Sequence, residues 1–353
     1  MRKIVFLQKS NIYSGAESIV LMIMKFLPKN EYYSVYVSPD GEIRDFVELE
    51  GLDFYPMKDS SMKSIKRAIF DIRPDLIHAT DYGMSSYASR LHMQIPIVAH
   101  LHNNAPWLKC LVHPKNIAFT LSLSNIASVI SVSNSIENEF IHATLLSKKN
   151  HVIYNVVDLL RVKEYASKEE DNVCNNVDIA FLGRLTISKN LFLFCEIVQD
   201  YKIKNKNVRA LIIGDGELEQ ELKEYIVNHN LQDNIEMVGF QKNPYKYLKK
   251  AKLLLMPSKY EGFGLAAVES LALGKPVVCS GAGGLRDIVT PECGAICSTK
   301  EEYLQEINQL LENKEYYNFK AQNATIIAQK FGDISTYIEK IISVYNECMQ
   351  GKE

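Results

Sequence analysis

Short, uninterrupted apolar runs alternate along this chain with stretches whose apolar residues recur at helical spacing, which predicts repeated strand-helix-strand units. Ile4-Val5-Phe6-Leu7 reads as a buried strand and Ser14 to Phe26 as the helix after it. Val35-Tyr36-Val37, Phe54-Tyr55, Leu76-Ile77, Ile97-Val98-Ala99 and Val129-Ile130 are further strand candidates, with helices over Tyr82 to His92 and Ser135 to Ile141. The strands are continuously apolar rather than alternating, so both faces of the sheet are covered, which is the mark of a parallel, doubly wound sheet.

The pattern lapses over residues 161–176, which are polar, charged and aperiodic, and restarts with Val177 to Leu182. Ala210 to Ile213, Ile235 to Val238, Leu253 to Met256, Val277 to Cys279 and Ala295 to Cys297 continue it as strands. The last stretch carries a helical stripe, Ile334, Tyr337, Ile338, Ile341, Ile342 and Tyr345, at i, i+3, i+4 spacing. The expected organisation is therefore α/β: a Rossmann-like domain over 1–160, a linker over 161–176, a second Rossmann-like domain over 177–332, and a helix over 333–353 packing back on the first domain. Ligands of such sheets bind at the carboxyl ends of the strands, so the active site is expected between the two domains.

Composition narrows this picture. The 353 residues, 47% hydrophobic and 23% charged, suit two globular domains of ordinary size and exclude a disordered or disulfide-stapled chain. Lys+Arg 40 against Asp+Glu 42 is too balanced for a protein that neutralises nucleic acid. The 7 cysteines are scattered, and Cys293 and Cys297 have neither a second pair nor a histidine at zinc-site spacing, so no metal is expected there. No apolar run is long enough to span a membrane and no secretion signal is evident, so a cytoplasmic location is expected. Residues 58–73 combine Lys58, Lys63, Lys66, Arg67 and Arg73 with Met62, Ile65, Ile69 and Phe70; this is either an ordinary amphipathic helix or a peripheral contact with the anionic inner face of a membrane.

Two loops carry the candidate chemistry. In Gly183-Arg184-Leu185-Thr186-Ile187-Ser188-Lys189-Asn190 a strand ends in glycine, and two cations follow beside a helix start, which suits a diphosphate. In Glu261-Gly262-Phe263-Gly264-Leu265 the glycines allow close backbone approach, and the helix they open aims its N–H groups at an anion. Glu261 and Glu269 would be repelled by phosphate, so they suit sugar or ribose hydroxyls, which donate.

Gly183-Arg184-Leu185 with Lys189-Asn190, and Glu261-Gly262-Phe263-Gly264 with Glu269, resemble family 4 of the glycosyltransferases, retaining enzymes of the GT-B fold. Ser14-Gly15-Ala16-Glu17, Pro96 to Asn103, Asn155 to Asp158 and Gly283-Gly284-Leu285-Arg286-Asp287 are similar to that family's other segments in the same order. The resemblance implies that Arg184 and Lys189 hold the donor's diphosphate as it leaves and that Glu269 meets the ribose. It places Glu261 and the backbone of Gly262, Phe263, Gly264 and Leu265 around the sugar and β-phosphate, Gly15 near the phosphate, and His102 on the transferred sugar, with His100 as the competing histidine. Three departures stand out: Ser14-Gly15 for two glycines, Val156 for the glycine of the Asn-Gly-Val-Asp turn, and Arg286-Asp287 for Pro-Glu.

The chain has no Asp-x-Asp, so two fixed cations and a helix N-terminus are expected to replace a metal on the diphosphate, and no cofactor is expected. No nucleophile is evident opposite the diphosphate; the resemblance implies front-face substitution with retention. The expected reaction moves a hexose or N-acetylhexosamine from a nucleotide diphosphate sugar, UDP favoured, to a saccharide or glycolipid acceptor in cell-surface polysaccharide synthesis. The competing readings are a non-catalytic nucleotide or carbohydrate binder, a sugar-nucleotide epimerase, and a dinucleotide dehydrogenase, for which Gly214-Asp215-Gly216 lacks the third glycine.

Overall fold

The computed structural model describes residues 1–168 and 176–350, which form two compact units: Met1–Asn155 with the C-terminal helix, and Val156–Asp333. The first is built on strands β1 (Arg2–Leu7), β2 (Tyr32–Pro39), β3 (Asp53–Met57), β4 (Leu76–Thr80), β5 (Ile97–Leu101), β6 (Ser128–Ser131) and β7 (Asn150–Val152), in the order β3-β2-β1-β4-β5-β6-β7. Every neighbouring pair is parallel. Ile4, Val5, Phe6 and Leu7 are wholly buried because helices cover both faces of β1, which is why the run needs no polar position. The C-terminal helix Ile334–Gln350 belongs to this unit and buries Tyr337, Ile338, Ile341, Val344 and Tyr345.

The second unit repeats the plan with β8 (Val177–Leu182), β9 (Ala210–Ile213), β10 (Ile235–Met237), β11 (Ala251–Met256), β12 (Val277–Cys279) and β13 (Gly294–Ile296), ordered β10-β9-β8-β11-β12-β13 and again parallel. Its core gathers Phe181, Phe194, Ile212, Leu253 and Leu255 between the sheet and the helices Leu191–Lys204 and Lys300–Glu312.

One expectation is corrected, one strand lies outside the expected set, and one of two open readings gains support. The segment read as a linker opens as the helix Leu159–Ser167, capped by Asp158, whose carboxylate accepts from Arg161 N at 2.9 Å. Leu159, Val162 and Ala166 are buried on one face of it, a stripe too sparse to stand out among its charges. The rest of that segment, residues 169–175, lies outside the described residues, as does Cys174. The edge strand β7, Asn-His-Val, is polar and was not expected. Finally, the helix within residues 58–73, Met62–Ile72, packs Ile65, Ala68, Ile69 and Ile72 into the first unit, so the apolar face offered to a lipid is already covered. Only Phe70 stays well exposed among its large apolar residues.

Candidate functional site

The second sheet reverses direction of strand order at β8, which lies between β9 and β11; the carboxyl ends flanking such a reversal are where doubly wound sheets bind ligands. The loops there are the two that carry the candidate residues, and they are tied together. Ser188 O accepts from Lys259 N at 2.8 Å and Tyr260 N at 3.3 Å, and Lys189 Nζ donates to Glu261 Oε2 at 2.6 Å. Both side chains of that pair are largely shielded, at 19% and 11% exposure, and Ser258 Oγ reaches the same oxygen at 3.4 Å. Arg184 is different: it is exposed, and its guanidinium has no ion pair or hydrogen bond among the described residues.

Close backbone packing holds these loops in place. A Cβ on Gly214 would stand 2.0 Å from Gly183 O, and one on Gly216 would stand 2.6 Å from Leu185 O. The Gly-x-Gly after β9 therefore serves to let its loop lie on the Gly183–Leu185 turn, where Leu185 N donates to Asp215 O at 2.6 Å. Gly283, at φ +52, likewise sits against Glu261, with a Cβ there only 1.6 Å from Glu261 O, and Gly284 N donates to Gly262 O at 3.2 Å. These contacts give the late Gly-Gly segment a packing role: it lies against the backbone of the Glu261 loop.

The helix Leu265–Ala272 begins at Gly264, and no side chain caps its first turn. Its leading N–H groups are free for an anion. Phe263 contributes backbone only, since its ring is buried against Phe331 with centroids 5.6 Å apart. Glu269, partly buried in this helix, accepts from Tyr245 Oη at 2.9 Å; burial pushes its carboxyl up to about 7, and the tyrosine hydrogen bond pulls the other way. Tyr245 lay in no motif, and only its contact with Glu269 reveals it. The loop after β10 joins the group through Gly214 N, which donates to Gly239 O at 2.9 Å.

The raised carboxyl has a consequence for stability. Between an unfolded value of 4.5 and a folded value of about 7, the native state binds the extra proton, so stability falls as pH rises through that window and levels off above it. Glu269→Gln removes the penalty. At pH 8 the variant is expected to be the more stable protein, by at most about 3 kcal/mol, with the difference vanishing near pH 4. Urea titrations of both proteins across that range measure it.

In the first unit the carboxyl ends of β1, β4 and β5 bring Gly15, Glu17, Asp81 and His102 into one region. Gly15 is exposed and opens the helix Gly15–Phe26, while Ser14 Oγ donates to the buried Glu17. His100 lies wholly buried within β5 and shares its Nδ1 with His78 Nε2 at 3.1 Å, and His78 Nδ1 meets Tyr345 Oη at 2.7 Å. His102, just past the strand end, lies against His100 with centroids 4.0 Å apart and the rings tilted by 40°. Its two ring nitrogens are shielded yet have no hydrogen-bond partner among the described residues. Burial pushes His78 and His102 down to about 3 and holds His100 well below the ordinary imidazole value, so all three rings are neutral. Asp81 Oδ1 accepts from His102 N at 2.8 Å, and burial, with the nearby Glu17 charge, lifts its carboxyl to about 6. Of the two competing histidines, His102 has both ring nitrogens without a partner among the described residues, whereas His100 has only Nε2 so.

A model described as Glycosyltransferase Family 4 matches residues 13–161, and one described as Glycosyl transferases group 1 matches residues 163–326. An uncharacterized glycosyltransferase of Methanocaldococcus jannaschii is 31% identical over 43% of this chain and 39% of its own length; a second from the same organism is 27% identical over 86% of this chain and 82% of its own. An N-acetylgalactosamine-N,N'-diacetylbacillosaminyl-diphospho-undecaprenol 4-alpha-N-acetylgalactosaminyltransferase of Campylobacter jejuni is 34% identical over 38% of this chain and 35% of its own. The matched part thus spans well under half of two of these relatives. Among solved structures, Anabaena HepE in complex with UDP and glucose superposes with a TM-score of 0.83 at 22% identity, covering 98% of this chain and 100% of that one. Two family models matched in tandem, on two parallel sheets with the GT-B arrangement of strands, place this chain in family 4 of the glycosyltransferases.

Proposed function

We propose that the protein transfers a hexose or N-acetylhexosamine, with retention, from a UDP-sugar to a saccharide or lipid-linked saccharide acceptor in cell-surface polysaccharide synthesis. The observation that carries the reading is Arg184: an exposed, unpaired guanidinium on the same strand-end loop as Lys189, with the uncapped helix N-terminus of Leu265–Ala272 at the end of the neighbouring β11 loop. Fixed cations and N–H groups stabilise the charge that builds on a departing diphosphate. Arg184 and Lys189 take the diphosphate, and they do so without a metal. Glu269 accepts from the ribose, and Glu261 with the backbone of Gly262, Phe263, Gly264 and Leu265 holds the sugar and β-phosphate. Gly15 and His102 are the first unit's own candidates for contact with the phosphate and the transferred sugar. The departing phosphate oxygen takes the acceptor's proton, so no side chain is needed as general base. Uracil is favoured because the HepE structure with TM-score 0.83 holds UDP, and a lipid-linked acceptor because the Campylobacter relative is named for one.

A thermal-shift and calorimetric panel of UDP, GDP, ADP and CMP, with and without EDTA, tests this. A nucleotide at a hundred times its Kd stabilises the folded state by about 2.7 kcal/mol. UDP is expected to do so in EDTA, and Arg184→Ala to weaken it; no shift with any nucleotide overturns the donor site. Glu269 adds a pH signature. Ribose hydroxyls donate best to an ionised carboxyl, so UDP is expected to bind more tightly as pH rises through about 7. Glu269→Gln is expected to flatten that profile and bind UDP roughly tenfold more weakly at pH 8, the loss of one hydrogen bond to a charged group.

A further inference from the structure

Three side chains of the first unit form a buried chain of polar atoms that the transferase reading leaves unused. Tyr345 lies on the C-terminal helix Ile334–Gln350, His78 in the middle of β4 and His100 in β5, and all three are wholly buried. Tyr345 Oη stands 2.7 Å from His78 Nδ1, and His78 Nε2 stands 3.1 Å from His100 Nδ1. The Phe6 ring, its centroid 4.8 Å from that of His78, packs on the middle ring and holds it in place. His100 Nε2 ends the chain. It is shielded, has no partner among the described residues, and belongs to the ring whose centroid is 4.0 Å from that of His102.

Counting protons gives this chain a direction. Burial keeps both imidazoles uncharged and the phenol protonated, so each imidazole has one N–H and one bare nitrogen, and the hydroxyl has one hydrogen. If Tyr345 donates to His78 Nδ1, His78 donates from Nε2 to His100 Nδ1, and the His100 Nε2–H alone is left unmet. In the reverse order His100 Nδ1–H donates to His78 Nε2, and His78 Nδ1–H donates to the hydroxyl oxygen. The phenolic hydrogen then has no acceptor among the described residues, and His100 Nε2 is bare and unmet as well. The first order leaves one buried group without a partner and the second leaves two, and each such group carries its full desolvation cost. The first order is therefore the favoured one.

We propose that Tyr345 is a positioning residue for His102: by donating to His78 it fixes the tautomers of His78 and His100, so that the ring lying against His102 ends in an N–H. A fixed N–H draws the electron-rich face or the bare nitrogen of a neighbouring ring toward itself. That leaves the N–H of His102 for an oxygen of the bound sugar. The task of His102 at the sugar rests on the transferase reading, whereas the order of the protons does not.

Long-range proton–nitrogen correlation spectra of the full chain near neutral pH, with the histidines assigned by single replacements, read the tautomers directly, because a bare ring nitrogen and an N–H nitrogen resonate far apart. His78 and His100 are expected to carry their protons on Nε2 in the wild type. Tyr345→Phe removes only the hydroxyl, after which either order leaves two groups unmet, so His100 is expected to become a mixture of both tautomers. Tyr337→Phe removes a buried hydroxyl of the same helix that has no partner among the described residues, and is expected to match the wild type in both spectrum and turnover. With UDP-glucose and UDP-N-acetylglucosamine as probes, Tyr345→Phe is expected to lower kcat/KM roughly tenfold, the worth of one hydrogen bond at the site, with UDP affinity unchanged. Where Tyr345→Phe does not fold, His78→Leu breaks the same chain from the middle, and the same change in His100 and the same loss of rate are expected. A proton on His100 Nδ1 in the wild type, tautomers that Tyr345→Phe leaves unmoved, a tautomer change without a change in rate, or an equal loss of rate in Tyr337→Phe would each overturn the proposal. The expected wild-type tautomers in a protein that binds no nucleotide would overturn the transferase reading, and with it the sugar contact of His102, while the order of the protons stands.

Discussion

Arg184→Ala is expected to cut kcat by about 100- to 1,000-fold, the range seen when one fixed donor to a charge-developing oxygen is removed, with no loss of folding stability. The two halves of that expectation have separate causes. The side chain is exposed and engages nothing among the described residues, so truncating it leaves no orphaned partner and no cavity. On the proposed function its guanidinium offers planar, paired N–H donors to a diphosphate whose charge rises as the bond to the sugar breaks. Arg184→Lys retains the charge but not the fork, and is expected to recover only part of the rate. Steady-state kinetics on UDP-sugar hydrolysis or transfer, beside urea titrations, measure both quantities. A rate loss matched by an equal loss of stability would mean that Arg184 supports the loop rather than the reaction.

That site was legible in the sequence to the extent that its chemistry is local. Glycine at a strand end, cations within a few residues and a Gly-x-Gly at a helix start are short-range signals, and the strands they follow are buried on both faces and so written as unbroken apolar runs. β8, β9 and β12 start and stop where those runs do. What was not legible depends on contacts distant in sequence. Tyr245 matters only because its hydroxyl meets Glu269, 24 residues away. Gly214 and Gly216 resembled a fragment of a dinucleotide fingerprint until Gly183 O and Leu185 O were found lying against them. β7 pairs at the sheet edge through Asn150 and His151, where solvent on one side permits polar residues and removes the apolar signal. The helix Met62–Ile72 shows the same limit. Amphipathic spacing identifies an apolar face, but whether that face turns toward the sheet or toward solvent is decided by tertiary packing.

The ion pair between Lys189 and Glu261 sets up the second large effect. Lys189→Met is expected to lower kcat by about 100- to 1,000-fold, because on the proposed function it removes the other cation at the diphosphate, and unlike Arg184→Ala it is also expected to destabilise the fold. The reason is that Glu261, at 11% exposure, would then hold a shielded charge with only Ser258 Oγ beside it. Stripping one partner from a fully buried pair costs about 3–5 kcal/mol; the residual solvent contact here lowers the expectation to about 2 kcal/mol. Adding Glu261→Gln to Lys189→Met removes the uncompensated carboxylate, so the double variant is expected to regain most of that stability while its rate stays low. The coupling read from urea titrations of the four proteins should therefore be of opposite consequence to that read from kcat. Glu261→Gln alone carries a further signature, since a carboxylate beside a diphosphate repels it. UDP is expected to bind this variant at least as tightly as the wild type, while turnover of the UDP-sugar falls through the lost contact with sugar hydroxyls. A Glu261→Gln protein that lost UDP affinity in step with turnover would show instead that the carboxylate's main task is to hold the Lys189 ammonium in position.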